Sequence, residues 1–201
     1  MRPSLEQSVT SLIVTRARAD SAQFAEVYER VAPALCGWVA LNLRAGLRAR
    51  VDAEEVAQEV WLRAWRSLAD FDPAHGSFRG WLFGIARNVL LEAFQALQRR
   101  RVGSGSTTRL FDLENCPDTV TSATQRVARD DSLQHFIARV RELGEDEQVL
   151  VQCCGLEGLG AAEAATRLRI TAEAARKRWQ RLRASLEELD LPRELLADGA
   201  D

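Results

Sequence analysis

Apolar residues recur along this chain at intervals of three and four and seldom alternate strictly with polar ones, a pattern that predicts helices. Phe24, Val27, Tyr28 and Val31 form one such stripe behind Asp20, which is suited to cap a helix. Pro33 is expected to end or kink that helix, and a second run follows from Ala34 to about Arg44. Asp52 opens a further helix with Glu55 at the reciprocal capping position. Its apolar stripe is Ala53, Val56, Ala57, Val60, Trp61 and Ala64. Phe71-Asp72-Pro73 through Gly76 breaks the pattern, because a residue before proline avoids the helical region. Ser77 restarts a helix that reaches the cluster Arg99, Arg100, Arg101.

Residues 102–130 are rich in Gly, Ser and Thr and read as a linker. Helical periodicity returns from Asp131 to about Arg141 and from Glu145 to Cys154. A short helix from Gly160 to Leu168 and a longer one capped by Thr171 then flank a turn at Arg169–Thr171. No segment reads as a strand. The expected fold is all-α, with two small helical domains at 21–101 and 131–188 on a flexible linker at 102–130. A loose leader occupies 1–20 and an acidic tail 189–201.

The length of 201 residues and the 46% hydrophobic content suffice for one medium core or two small ones. A net charge of −2 hides a strong segregation. Seven cationic residues face one acid, Glu173, between Arg167 and Arg183, whereas six acids face one arginine from Glu187 onward. A near-neutral total therefore does not argue against nucleic-acid binding, since phosphate responds to the local patch.

Cys36, Cys116, Cys153 and Cys154 lack the spacing of a zinc site, and His75 and His135 stand alone. Cys153 and Cys154 fall in an apolar helix and read as buried thiols rather than a redox pair. No carboxylate pair, Cys/His couple or phosphate-cradling Gly loop is set on a suitable scaffold, so neither an enzyme nor a cofactor is expected. No run is apolar enough for a signal peptide or membrane span, which reads as a cytoplasmic chain without membrane insertion.

The helix after Thr171 divides cleanly. Ala174, Ala175, Trp179 and Leu182 share one face, while Arg176, Lys177, Gln180, Arg181 and Arg183 project away. A basic face that follows a short helix and a tight turn suits a major groove, with arginines on phosphates or guanine edges. Earlier in the chain, Asp52, Glu55, Gln58 and Glu59 fall on one helix face. Alone, that face would be read as solvated and ion-paired. Phe71, His75, Phe78, Arg79, Trp81 and Phe83 then crowd aromatic and basic groups around a turn, a mixture that holds unpaired bases. Leu82, Ile85, Val89 and at least one of Phe78 and Trp81 are assigned to packing.

These segments resemble an extracytoplasmic-function sigma factor of the sigma-70 family. DAEEVAQEVWLRAWRSL is similar to that family's region 2.2, FDPAHGSFRGWLFGIARN to its regions 2.3 and 2.4, and Leu156 to Leu182 to its region 4.2. The resemblance covers about residues 21–101 and 131–186. It implies that Asp52, Glu55, Gln58 and Glu59 face the clamp helices of core RNA polymerase. It implies that the turn from Phe71 to Trp81, His75 included, captures a base flipped from the −10 element. Arg79, Arg87 and Asn88 would support the opened strand, with Arg99, Arg100 and Arg101 on upstream phosphates. Thr171 to Arg183 would read the −35 element of promoter DNA, and the apolar surface near Val149 to Leu156 would dock on the polymerase flap. Control by a separate anti-sigma protein is expected.

The chain departs from the family pattern at several places. Arg169 stands in the turn where Gly is common, Ala174 and Ala175 replace a Thr-Val pair, and Trp179 replaces a Leu, so no −35 preference transfers. Gly84 and Ile85 stand where housekeeping members carry paired tryptophans, which fits a stringent alternative factor. Two other classes compete: a helix-turn-helix regulator indifferent to core polymerase, and a helical adaptor that binds no DNA.

Overall fold

The computed structural model describes residues 21–43, 48, 50–102, 124–187 and 195–196. The side chains of 21–25, 100–102 and 187 are outside that description. So are the leader with its Asp20 cap, Cys116, linker residues 103–123 and most of the tail. Every regular element among the described residues is helical.

Helix α1 (Ser21–Asn42) buries Val27, Tyr28, Val31, Leu35, Trp38 and Val39. The break expected at Pro33 does not occur, and the helix runs through it. Proline removes one backbone hydrogen bond, but the buried residues on either side of it pack into the same core. Helix α2 (Ala53–Arg66) begins as expected at Asp52, whose carboxylate accepts the Glu54 N–H at 3.0 Å. Two 3-10 turns follow, Leu68–Asp70 and Pro73–His75, the second capped by Asp72. Gly76 then takes φ 152° and ψ −179°, a region open almost only to glycine. Ser77 accepts the Gly80 N–H at 3.1 Å and starts helix α3 (Phe78–Val102).

Residues 124–128 already form a helical turn, with Thr124 buried and bonded to the Tyr28 hydroxyl. Asp130 caps helix α4 (Asp131–Glu142), whose buried face is Leu133, Phe136, Ile137 and Val140. Helix α5 (Glu145–Leu150) continues as a π-helical segment, Val151–Leu156. Helices α6 (Ala161–Leu168) and α7 (Ala172–Glu187) complete the order. Between them Arg169 adopts the left-handed conformation, φ 56° and ψ 40°.

The two halves pack face to face, and buried residues from α1 to α7 belong to one contiguous core. Helix α1 lies against α4, where a Cβ on Gly37 would meet Leu133 at 3.3 Å. Gly155 has a similar role, since a Cβ there would meet Leu196 at 2.8 Å and Trp179 at 2.9 Å. None of the described helices is long and apolar enough to cross a membrane.

Candidate functional site

The acidic face of α2 is less open than its spacing implies. Asp52 is exposed and Glu55 half-buried, but Gln58 and Glu59 are only 5% and 8% exposed. Gln58 donates to Glu54 at 3.2 Å. Glu59 accepts from Arg63 Nε at 2.6 Å, and the same guanidinium donates to both oxygens of Glu92 on α3. The bond from Arg63 is the main cause that holds the Glu92 carboxyl below its ordinary range. Glu59 thus acts as an internal counter-ion. The outward acids are Asp52, Glu54 and Glu55.

In the aromatic turn, Phe71 and Phe78 are buried, their rings edge-on at 5.6 Å. Their burial takes both out of the set available to stack on a base in this conformation. Apolar rings on a turn gain more from the core than from solvent, and two of them fill it here. Trp81 is half-buried over this pair, at 5.4 Å from Phe71 and 5.5 Å from Phe78, so the phenyl rings set the indole. His75 is exposed, its Nδ1 2.8 Å from Asp72 Oδ2. Phe83 is buried against Trp38.

Two arginines expected beside DNA instead cross to the far half. Arg79 donates Nε to the Leu156 carbonyl at 2.6 Å and Nη2 to Leu195 at 3.2 Å. Arg87 donates to Glu157 Oε2 at 2.5 Å. Asn88 and Arg99 are exposed, and the side chains of Arg100 and Arg101 lie outside the described residues.

The basic helix conforms closely to its pattern. Ala175, Trp179, Leu182 and Leu186 are buried and Ala174 half-buried. Arg176, Lys177, Gln180 and Arg181 are exposed, and Arg183 is half-buried. Thr171 Oγ1 accepts the Ala174 N–H at 3.2 Å, as expected of a cap. Lys177 pairs with Glu173 at 2.7 Å, and Arg178 ties α7 to Asp146 at 3.0 Å. The charges therefore project from a helix fixed on its opposite side.

Sequence reasoning passed over Glu157. It is 2% exposed and accepts from the Trp38 indole at 2.9 Å, from Arg87, and from Arg167 at 3.1 and 3.3 Å. The available signal was that Glu157 is the single charged residue between Val149 and Leu159. A charge in such a run requires partners from elsewhere. Hydrogen bonding to Glu157 is the main cause that raises the Arg167 pKa. Burial pushes the Cys153 thiol up to about 11 and Cys154 to about 12, so both stay protonated at neutral pH.

Residues 27–100 match the family model for sigma-70 region 2. The ECF RNA polymerase sigma factor SigL of Mycobacterium tuberculosis is 28% identical over 145 residues, covering 70% of this chain and 78% of that protein. The RNA polymerase sigma factor CnrH of Cupriavidus metallidurans is 28% identical over 141 residues, 69% of this chain and 73% of its own. The ECF RNA polymerase sigma factor BldN of Streptomyces coelicolor is 30% identical over 156 residues, 76% of this chain and 55% of its own. Among solved structures, that of CnrH in complex with the cytosolic domain of CnrY is similar at 21% identity and a TM-score of 0.40, covering 91% of this chain and 95% of that one. The acidic helix, the aromatic turn and the region 2 match converge, and the chain belongs to the extracytoplasmic-function sigma factors of the sigma-70 family.

Proposed function

We propose that this chain binds core RNA polymerase, directs it to promoters through −10 and −35 contacts, and assists strand opening without nucleotide hydrolysis. Residues 21–101 would serve as region 2 and 131–188 as region 4. The observation that carries the reading is the exposed face of Arg176, Lys177, Gln180 and Arg181 over a buried Ala175–Trp179–Leu182 stripe, in one chain with a region 2 match. The first supplies a surface for duplex phosphates and base edges. The second supplies Trp81 on its aromatic platform for an unstacked base. Asp52, Glu54 and Glu55 would meet a basic polymerase surface, where charge sets register and encounter rate. A separate anti-sigma protein would control access to these surfaces in the cytoplasm.

The test is binding of the full chain to bacterial core RNA polymerase, with and without Glu55→Arg. Glu55 is the suitable choice because Glu59 is buried and its reversal would disturb packing. Tight binding by the native chain, weakened roughly ten-fold or more by the reversal, supports the reading. A folded native chain that ignores core polymerase but binds duplex DNA supports the helix-turn-helix regulator instead.

A further inference from the structure

Arg79 and Arg87, the two α3 arginines that the family resemblance sets against the opened strand, are both engaged inside the free chain by one small region of the far half. Arg79 meets the end of the helix formed by α5 and its π-helical continuation. There it binds the carbonyls of Leu156 at 2.6 Å and Gly155 at 3.4 Å. Such end carbonyls lack partners within their helix and carry its negative dipole. Arg87, eight residues along α3, binds the next residue, Glu157, at 2.5 Å. The Glu157 carboxylate is held by four donors, two of them from Arg167 on α6. An end of helical carbonyls followed by a buried acid offers two arginines what a DNA backbone offers: a row of oxygens bearing negative charge.

The contact is also open to competition. Arg87 and Arg167 are each 41% exposed at the side chain. They border a cleft of about 310 Å³ that also includes Trp38, Asn42 and Glu157. One carboxylate between two guanidinium groups leaves a residual charge of +1, so the cleft draws an anion towards the same donors.

We propose that Glu157 and the adjoining helix end form an autoinhibitory latch that stands in for DNA phosphates on Arg79 and Arg87 and yields when a single-stranded DNA backbone competes for them. The inference rests on the DNA-facing role assigned above to those arginines. The latch keeps the free factor closed over its own strand-binding surface.

The experiment pairs two readouts on the full chain without polymerase. Small-angle X-ray scattering reports closure, and anisotropy of a labelled single-stranded oligonucleotide reports DNA binding, for the native chain and Glu157→Gln. The variant is expected to expand and to bind the oligonucleotide about five-fold tighter or more, because a closed fraction lowers apparent affinity. A folded variant that stays compact, or expands without a gain in affinity, overturns the proposal. Should Glu157→Gln lose its helical circular dichroism, the native chain supplies the answer through the Trp38 indole N–H resonance. Oligonucleotide addition should shift that resonance as Glu157 is released, and an unmoved resonance in the bound state overturns the latch. Core polymerase binding, measured separately, shows whether the sigma reading itself has failed.

Discussion

Arg63 on α2 and Glu92 on α3 form a two-point ion pair, Nη1 to Oε1 at 3.0 Å and Nη2 to Oε2 at 2.8 Å. With Nε on Glu59, one guanidinium bridges carboxylates from two helices and fixes their relative rotation. Arg63→Ala would leave Glu59, 8% exposed, without its counter-ion. A loss of about 3 kcal/mol is expected in urea unfolding. Glu55→Arg, on the outer side of the same helix, should shift stability by no more than about 0.5 kcal/mol. Equal effects from the two would remove the distinction between inner and outer acids.

The exposed cations of α7 should act on DNA chiefly through phosphate. Arg176→Ala and Arg181→Ala are each expected to reduce the slope of log affinity against log salt by about 1. Helicity should be unaffected, since both side chains project from the packed stripe. Duplex binding by fluorescence anisotropy at three or more salt concentrations decides it. An unchanged slope would place these side chains away from the backbone.

Arg169 holds a left-handed conformation that costs an ordinary residue roughly 1 kcal/mol and glycine almost nothing. Arg169→Gly should therefore raise the melting temperature by a few degrees. If the same variant weakens −35 binding, the strained arginine also touches DNA. A lower melting temperature would show that its side chain stabilises the turn by more than the strain costs.

Gly155 sits where Trp179 and Leu196 close over the π-helical segment. Gly155→Ala is expected to destabilise the chain by about 1–3 kcal/mol, because the rigid indole must move. Thermal unfolding measures it. A neutral outcome would mean that Leu196 and Trp179 give way freely.

The buried thiols set a pH limit. Burial raises Cys153 to about 11 and Cys154 to about 12 from an ordinary 9.0, so the folded state retains protons that the unfolded chain releases. Their effect on stability is nil below about pH 8. Stability then falls as pH rises from 9 through the folded values, because the unfolded state binds fewer protons there. Cys154→Ala should flatten part of that fall in denaturant titrations between pH 8 and 10.5. Native Cys153 and Cys154 should also resist alkylation at neutral pH until denaturant is added.

Local chemistry in this chain was legible from its residues. Asp52, Ser77 and Thr171 each sit beside the helix they cap. The apolar stripes of α2, α4 and α7 repeat at helical spacing, and the motif series around the aromatic turn identified the family. Such signals depend on neighbours three or four positions away, which the order of residues determines by itself. Tertiary structure decided the rest. It carried α1 through Pro33, drew Phe71 and Phe78 inward, turned Glu59 into a counter-ion, and joined Arg87 to Glu157 across 70 positions. Periodicity cannot show which buried faces meet, or which charge on one face neutralises a charge on another. Those outcomes arise only when two halves desolvate each other and every buried polar group must find a partner.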